Sequence, residues 1–172
     1  MKRTVFSILA AVTLASTAFA ATYVNAPAEG LAWLSGLKGT WTLDAKWANG
    51  NPFKARQTVE PILNGKFVAM KTSAASGDAP ETERDYILFG LSKDGQLVQW
   101  VYTPDGQARQ TEATATTDGT IQFDFSKTDA KGKTIELRTL YKPIDAKQYG
   151  WKLMSKLKGE WHSTLEGTWQ RG

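Results

Sequence analysis

Hydrophobic and polar residues alternate along most of this chain from about residue 40 onward. In the first such segment, residues 40–48, Trp41, Leu43, Ala45 and Trp47 fall on one face and polar residues on the other. Strict alternation with a period of two predicts a half-buried β-strand. Similar segments recur to the end of the chain and predict ten strands, over residues 40–48, 53–60, 66–73, 84–92, 96–103, 108–116, 120–126, 133–142, 147–156 and 160–170.

The connections between these strands are short, and five of them contain an Asx-Gly pair. Asn, Asp and Gly most readily adopt the positive φ that a two-residue hairpin turn needs at both central positions. Hairpin connections nearly throughout favour an up-and-down barrel, because a Greek-key sandwich needs a long return connection. We therefore predict an all-β fold, an antiparallel barrel of about ten strands whose width leaves an internal cavity. The five pairs are Asn49-Gly50, Asn64-Gly65, Asp94-Gly95, Asp105-Gly106 and Asp118-Gly119.

The first twenty residues have the three regions of a secretion signal in order. Lys2 and Arg3 precede an apolar stretch from Val5 to Leu14, and Ala18-Phe19-Ala20 fits an A-x-A cleavage site. We expect cleavage after Ala20 and a periplasmic or secreted mature protein. Residues 21–30 are predicted to be a flexible lead-in, and residues 31–172 a single barrel domain that starts with a short helix around Leu31 to Leu37.

Composition narrows the function classes. Cleavage would reduce Lys plus Arg from 21 to 19 against 17 acidic residues, a net charge of +2. Because these charges are interleaved rather than clustered, they do not predict nucleic-acid binding. The chain has no Cys, which excludes disulfides, thiolate nucleophiles and Cys-ligated metals. No segment after the signal resembles a membrane span.

The helix followed by Gly39-Thr40-Trp41 resembles the entrance of the calycin superfamily, the lipocalins and their relatives. The resemblance implies that Gly39 permits a corner, that Trp41 packs across the closed end, and that Arg171 stacks on Trp41. Residues 30–171 also resemble a bacterial exported domain family of unknown function with a lipocalin-like barrel, which has a Gly-rich second hairpin like residues 63–67. That family carries no established catalytic residues, so the resemblance implies none here.

The last strand, residues 160–169, resembles the closing strand of nitrobindins, ten-stranded barrels that hold haem through a His. Aligning the shared Leu-Glu-x-Thr pattern leaves His162 displaced from the position of the haem ligand. Alternation also places His162 opposite Trp161, Leu165 and Trp169, on a polar face. We therefore predict a surface histidine, with haem binding as an alternative.

The aromatic residues near mid-strand are the candidate binding residues. They predict a small, largely apolar ligand held in the barrel without chemical change, with ordinary core packing as the competing interpretation. We predict no catalytic residue, no metal and no cofactor. The candidates are Phe67, Phe89, Trp100, Phe123, Tyr141 and Trp151.

Two other functions stay open. An isomerase or hydrolase would need polar groups inside the barrel, and the charged strand residues that could point inward are Arg56, Asp85, Arg109, Glu136 and Arg138. A buried charge with a perturbed pKa in the cavity would favour this enzyme.

An interaction role is the third possibility, because the two strands at 84–103 are apolar on both faces. One face would form an exposed patch, either Tyr86, Leu88, Leu97 and Val101 or the opposite set. The patch is expected to be either covered by the N-terminal segment around residues 31–37 or buried in a homodimer, and we predict the homodimer because so short a helix cannot both cap the barrel end and cover two strands. Residues 74–83 are predicted to be the longest loop, either a lid over the open end or an ordinary solvated loop.

Overall fold

A computed structural model describes residues 27–115, 118–128 and 132–172. The predicted signal peptide and residues 21–26 of the lead-in lie outside the described residues. Helix α1 (Pro27–Gly36) starts inside the segment that we expected to be a flexible lead-in. Proline suits the first helical position because its fixed φ matches the helix and its missing N–H has no partner there anyway. The helix buries Leu31 and Leu34 against the barrel.

The strands form one closed antiparallel barrel in which each strand pairs with its neighbour in sequence and β1 pairs with β10. The predicted all-β barrel of about ten strands is therefore confirmed. Its strands are β1 (Gly39–Trp47), β2 (Pro52–Ile62), β3 (Phe67–Ser76), β4 (Thr82–Leu91), β5 (Leu97–Tyr102), β6 (Ala108–Ala115), β7 (Ile121–Thr128), β8 (Thr134–Pro143), β9 (Gln148–Leu157) and β10 (Glu160–Arg171).

All five Asx-Gly pairs lie between consecutive strands, but their turn type differs from the prediction. The glycines have φ between 77° and 86°, whereas Asn64 alone among the five Asx residues has a positive φ, at 59°. In the 92–96 connection the Gly95 N–H donates to the Ser92 carbonyl, and the Ser92 N–H donates to the Gln96 carbonyl. This matches a longer hairpin in which a turn is followed by one left-handed residue, and only that residue needs glycine.

The predicted long loop at 74–83 is short in the structure. Strand β3 continues to Ser76 and β4 begins at Thr82, so the two strands extend past the small and polar residues that suggested a loop. Backbone pairing is insensitive to side-chain polarity, and Ala74 pairs with Thr82 at the end of the ladder. Residues 77–81 alone connect the strands, and they are too few to form the large lid considered above.

Arg171 secures the end of the barrel that carries α1. Its guanidinium lies 4.5 Å from the Trp41 ring centre and donates to the carbonyls of Gly36, Lys38 and Ala146 at 3.1, 2.5 and 2.8 Å. The predicted stacking of Arg171 on Trp41 is thus confirmed. A Cβ on Gly39 would lie 3.2 Å from Arg171 Nη1, and its φ of 132° also favours glycine.

The interior next to α1 is filled with aromatic rings. Tyr149 lies at its centre, with ring-centre distances of 6.0 Å to Trp33, 5.0 Å to Trp41 and 6.0 Å to Trp169. Trp41 is completely buried, and its indole N–H donates to the Leu37 carbonyl at 2.6 Å. The barrel therefore has a solid half under α1, and any room for a ligand lies towards the other end.

Candidate functional site

A cavity of about 450 Å³ occupies the half of the barrel away from α1. A volume of a few hundred Å³ is typical of small-molecule sites. Its apolar wall is formed by side chains from β1, β2, β7, β9 and β10, namely Trp47, Phe53, Phe125, Trp151, Leu165 and Trp169. At the mouth lie Thr103, Pro104 and Asp105 from the connection between β5 and β6.

The six aromatic residues predicted to bind a ligand fall into three places. Tyr141 and Trp151 line the cavity. Phe89 and Phe123 are fully buried and pack against Tyr141 at ring-centre distances of 5.9 and 6.1 Å, in a layer on the α1 side of the cavity. Phe67 and Trp100 lie on the outer face of the barrel. Ligand binding by Tyr141 and Trp151 remains a prediction, which the cavity makes testable.

The expected interior position of Phe67 and Trp100 is corrected by the structure. Phe67 pairs with Gly90, the neighbour of the inward-facing Phe89, and its ring packs 6.0 Å from that of Trp100. A Cβ on Gly90 would lie 2.6 Å from the Phe67 ring, so glycine is what lets this ring lie flat on the sheet. Trp100 donates to Gln110 Oε1 at 3.0 Å in an exposed hydrogen bond. Alternation could not show this, because the start of β3, which carries Phe67, and strands β4 and β5 are apolar on both faces.

Among the charged residues that line the cavity are Asp85 of β4 and Arg109 of β6. They are the inward-facing members of the five charged strand residues considered above. Arg138 faces outward, where it forms a bidentate pair with Asp124, and Glu136 pairs outside with Lys156. Arg56 is exposed on the outer face of β2. The interior of this barrel is therefore not purely hydrophobic.

Asp85 and Arg109 are held close enough to interact through charge but not to touch. Both are described residues, and they form no ion pair within 4.0 Å of each other. The guanidinium of Arg109 lies 4.2 Å above the Phe125 ring. Asp85 Oδ1 and Arg109 Nε are buried and have no hydrogen-bond partner. Buried polar atoms without partners are uncommon, since each costs about 1–3 kcal/mol.

A chain of hydrogen bonds links Asp85 to the aromatic core. The Tyr149 hydroxyl donates to Gln57 Oε1 at 2.5 Å, and Gln57 Nε2 donates to Thr72 Oγ1 at 3.0 Å. Because the Thr72 oxygen accepts from Gln57, its own proton is available for the hydrogen bond to Asp85. Thr72 thus supports the carboxyl group from one side, and the buried Oδ1 of Asp85 has no partner.

Burial dominates the electrostatics of this group. Desolvation raises the pKa of Asp85 above its usual 3.8, although the Thr72 hydrogen bond and the charges of Arg84 and Arg109 oppose the shift. Desolvation also lowers the pKa of Arg109, against the opposing charge of Asp85. The pKa of Tyr141 is raised, mainly by burial and also by the Asp85 charge. Three titratable groups in one cavity thus influence one another, as they do in many functional sites.

A bulge brings a further charged residue to the cavity. Thr72 pairs with Asp85 but the next residue, Ser73, pairs with Glu83, so Arg84 has no partner across the ladder. Bulges re-aim side chains and occur often next to functional sites. Glu83, Arg84 and Asp85 all line the cavity, and Glu83 forms an ion pair with Lys71.

A second bulge overturns the predicted faces of the last strand. The register of β10 against β9 shifts between Ser163 and Leu165, so His162 pairs with Ser155 and Trp161 with Lys156. Trp161 therefore lies on the outer face under Arg138, whose guanidinium is 4.1 Å from its ring centre. His162 shares the inward side of the ladder at the rim, yet it is exposed, as predicted.

The residues present do not fit a haem group. His162, the one histidine of the chain, is exposed and is not among the residues that line the cavity. A haem ligand needs its ring nitrogen aimed at the iron inside the pocket.

The outward-facing residues of β4 and β5 differ from either predicted set. Tyr86 and Leu88 face outward, but the outward residues of β5 are Val98, Trp100 and Tyr102, while Leu97 and Val101 point inward. Tyr86 and Tyr102 are 41% and 43% exposed, and Val98 is fully buried. The exposed apolar surface on the outside of β4 and β5 is therefore smaller than the sequence predicts for either face of these strands.

Alternation alone could have identified some of the polar residues in the interior. Gln57 lies between Ala55 and Val59 on the inward face of β2, and Asp85 precedes Ile87 and Phe89 on the inward face of β4. A polar residue at an inward position is the available signal. Strand order determines which of these residues contact each other across the barrel, and a local sequence pattern contains no information about those contacts.

In the described part of the chain, no helix is both long and apolar enough to cross a bilayer. Within the same ranges, no group of three or more His, Cys, Asp or Glu residues could hold a metal ion.

Comparisons with known proteins add little to this geometry. No family model and no curated protein matches the chain. Among solved structures, it is similar to a de novo designed fluorescence-activating β-barrel, with 10% identity, a TM-score of 0.44, and coverage of 78% of this chain and 93% of that one. It is also similar to EF1p2_mFAP2b bound to DFHBI, with 14% identity, a TM-score of 0.46, and coverage of 83% and 97%. Likenesses at this level carry no inference about function, which must come from the chain's own site.

Proposed function

We propose that this protein binds a small molecule in the cavity between Trp47, Phe125 and Trp151, without changing it chemically. The observation that carries the proposal is the division of the barrel into a filled half and a half with a cavity of about 450 Å³. Packing a core to full density is the ordinary outcome of folding, so a cavity this large is a feature that stability alone does not explain.

The cavity wall suits a ligand with a flat apolar body. Its apolar lining includes aromatic rings, such as those of Trp151 and Phe125, and the aliphatic side chain of Leu165. Burying such a body would gain roughly 25 cal/mol per Å² of apolar surface removed from water. Asp85 and Arg109 in the same wall require that one end of the ligand be polar, so the ligand is not apolar throughout.

Fluorescence titration with naphthalene derivatives tests the proposal. Trp151→Ala removes an indole from the cavity wall and is expected to weaken binding by roughly tenfold, as truncation of a buried aromatic contact does. Trp100→Ala is the matched control, because it removes one indole from the outer face and should leave affinity unchanged. Equal losses in the two variants, or no binding in a broad ligand screen, would contradict the proposal.

We propose further that the protein acts outside the cytoplasm, since residues 1–20 have the pattern of a cleavable signal. Fractionation of the source cells followed by mass measurement should find a chain that begins at Ala21.

The homodimer also stays a proposal, resting on the pair of exposed rings of Tyr86 and Tyr102, 6.5 Å apart. Sedimentation at tens of micromolar concentration tests it, and a monomer there would reject it.

A second candidate function is favoured by the unpartnered carboxyl oxygen of Asp85. A carboxylate of raised pKa beside a cation is the arrangement for removing a proton next to a carbonyl group. The Cα–H bond of such a substrate would break, its proton would pass to Asp85, and the enolate oxygen would be stabilised by Arg109. In a β,γ-unsaturated ketone, return of the same proton from Asp85 to the γ-carbon of the dienolate would move the double bond into conjugation and complete an isomerisation.

Exchange of the methyl protons of acetylnaphthalene in heavy water tests this candidate by NMR. Exchange well above the buffer rate, and lost in Asp85→Asn, would support an isomerase. Binding of the ketone without exchange above buffer would reject proton abstraction and leave the binding function in place.

A further inference from the structure

Resting on the proposed binding function, we infer that the ligand's polar end is a neutral group with a hydrogen-bond donor and acceptor side by side, as in a carboxamide or lactam. The inference concerns the polar part of the cavity, where Asp85 and Arg109 lie near each other without an ion pair. The end of a ligand that meets these two groups can be apolar, anionic, cationic, or neutral and polar. These four kinds differ in the hydrogen-bond partners and charges that they offer to Asp85 and Arg109.

An apolar end would be the least favourable. It would remove water from Asp85 and Arg109 and give neither a partner, although Asp85 Oδ1 and Arg109 Nε already have none in the protein. Removing water from charged groups without giving them a new partner is strongly unfavourable. A purely apolar molecule therefore suits the aromatic wall but not the polar one.

A charged end would satisfy one group and face a like charge on the other. A carboxylate would accept from Arg109 but place a second anion near Asp85, and an ammonium or amidinium would do the reverse. The remaining charges at the cavity do not favour either sign. Glu83 is paired with Lys71, and Asp105 interacts with Lys127 at the rim. The lining includes three basic side chains, Arg84, Arg109 and Lys127, and three acidic ones, Glu83, Asp85 and Asp105.

A neutral amide avoids both costs. Its carbonyl oxygen accepts from the guanidinium, and its N–H donates to the carboxylate, so each charge gains a hydrogen bond without meeting a like charge. The protein supports this arrangement from behind. The chain of hydrogen bonds from Tyr149 through Gln57 and Thr72 fixes Asp85, and the Phe125 ring supports Arg109.

Four naphthalenes that differ in one substituent of nearly equal shape test the inference. They carry a carboxamide, a carboxylate, a carboxamidine or an isopropenyl group at the same ring carbon. Calorimetric or fluorescence titration of the full mature chain should show the carboxamide bound about tenfold more tightly than the other three.

Charge-changing variants predict a crossover that misfolding could not imitate. Asp85→Asn removes the negative charge and leaves the positive charge of Arg109, so the carboxylate should become the most tightly bound of the four probes. In Arg109→Gln the anion stands alone, and the carboxamidine should become the tightest. Unchanged near-ultraviolet circular dichroism would verify the fold of each variant.

The outcomes separate this inference from the binding function on which it rests. If the wild-type chain binds all four probes within about twofold, or binds a charged probe most tightly, the inference is overturned and the binding function stands. If none of the four probes and no ligand in a broad screen binds, the binding function fails as well. Preference for the carboxamide with the predicted crossover supports both.

Discussion

The two halves of this barrel are built from the same strands and have opposite interiors. Under α1, Tyr149 is surrounded by Trp33, Trp41 and Trp169, and the space is filled. Towards the other end, the inward positions include Asp85 and Arg109 around a cavity of about 450 Å³. Each strand thus contributes packing at one end and cavity-lining groups at the other. Substitutions in the two halves should therefore be separable, with folding affected by one set and binding by the other.

The boundary between the halves is a layer of rings. Phe89, Phe123 and Tyr141 contact one another in mutual edge-on and tilted arrangements. Tyr141 also lines the cavity, whereas the two phenylalanines do not. The layer explains why residues predicted as ligand contacts are buried without touching the cavity, since they support its floor.

The largest expected effect is on stability in the filled half. Trp41→Ala removes a fully buried indole and its hydrogen bond to the Leu37 carbonyl, and deprives Arg171 of its stacking partner. The free energy of unfolding should fall by about 3–5 kcal/mol. Trp47→Ala, on the same strand but beside the cavity, should cost about 1–2 kcal/mol because its ring is only half-buried. Urea unfolding measures both, and equal losses would show that the halves are not distinct.

Overpacking tests the wall of the barrel at Gly167. A Cβ there would lie 2.5 Å from Leu43 Cδ1 and 3.1 Å from the Ala45 Cβ. Gly167→Ala should therefore lower the free energy of unfolding by roughly 1–3 kcal/mol. Gly36→Ala is the control, since a Cβ at that position meets nothing within 4 Å and should cause no loss. A neutral Gly167→Ala would mean that the Leu43 side chain can move aside.

Alternation predicted the strands well because it records burial along one strand at a time. It could not assign faces at the start of β3 or in β4 and β5, where both sides are apolar, so it places Phe67 and Trp100 inside. It also failed at Trp161, because the bulge between Ser163 and Leu165 interrupts the alternation. Trp161, which precedes the bulge, therefore lies on the opposite face from Leu165, which follows it. A register shift depends on the neighbouring strand, and a single-strand pattern contains no information about it.

The polar part of the site needed contacts between residues far apart in sequence. Gln57 and Tyr149 are 92 positions apart, and their hydrogen bond exists only because the barrel closes. Sequence reasoning recognised Asp85 and Arg109 as possible inward charges but could not separate them from Arg56 or Arg138. Strand order and bulges made that separation.

A single hydroxyl tests the link between the halves. Tyr149→Phe keeps the ring stacking but removes the donor to Gln57 Oε1, which then lies buried without a partner. The free energy of unfolding should fall by about 1–2 kcal/mol. Tyr86→Phe removes an exposed hydroxyl and should change stability by less than about 0.5 kcal/mol. If the two variants behave alike in urea unfolding, the chain from Tyr149 to Asp85 contributes nothing to stability.

The smallest predicted effect is on how the free energy of unfolding changes with pH. It reports on Asp85 alone, in the half of the barrel that contains the cavity. Burial raises the pKa of this carboxyl above 3.8 in the folded state, so the native chain binds more protons than the unfolded chain between those two values. Stability from this group must therefore fall as pH rises through that window, the opposite sign from an ion-paired surface carboxylate. Asp85→Asn lacks this contribution, although it keeps the other groups that face the site, Arg84, Arg109, Tyr141 and Tyr149.

The measurement is the difference in unfolding free energy between the two proteins, from pH 4 upward. The variant should gain on the wild-type chain as pH rises, until Asp85 is fully ionised in the native state, and the difference should then stay constant. Other carboxylates cancel in this difference, because both chains carry them. A difference that is flat from pH 4 would mean that Asp85 ionises in the folded barrel as it does in water. The cavity would then be wetter than its buried oxygen indicates, and a donor from the ligand would gain less there.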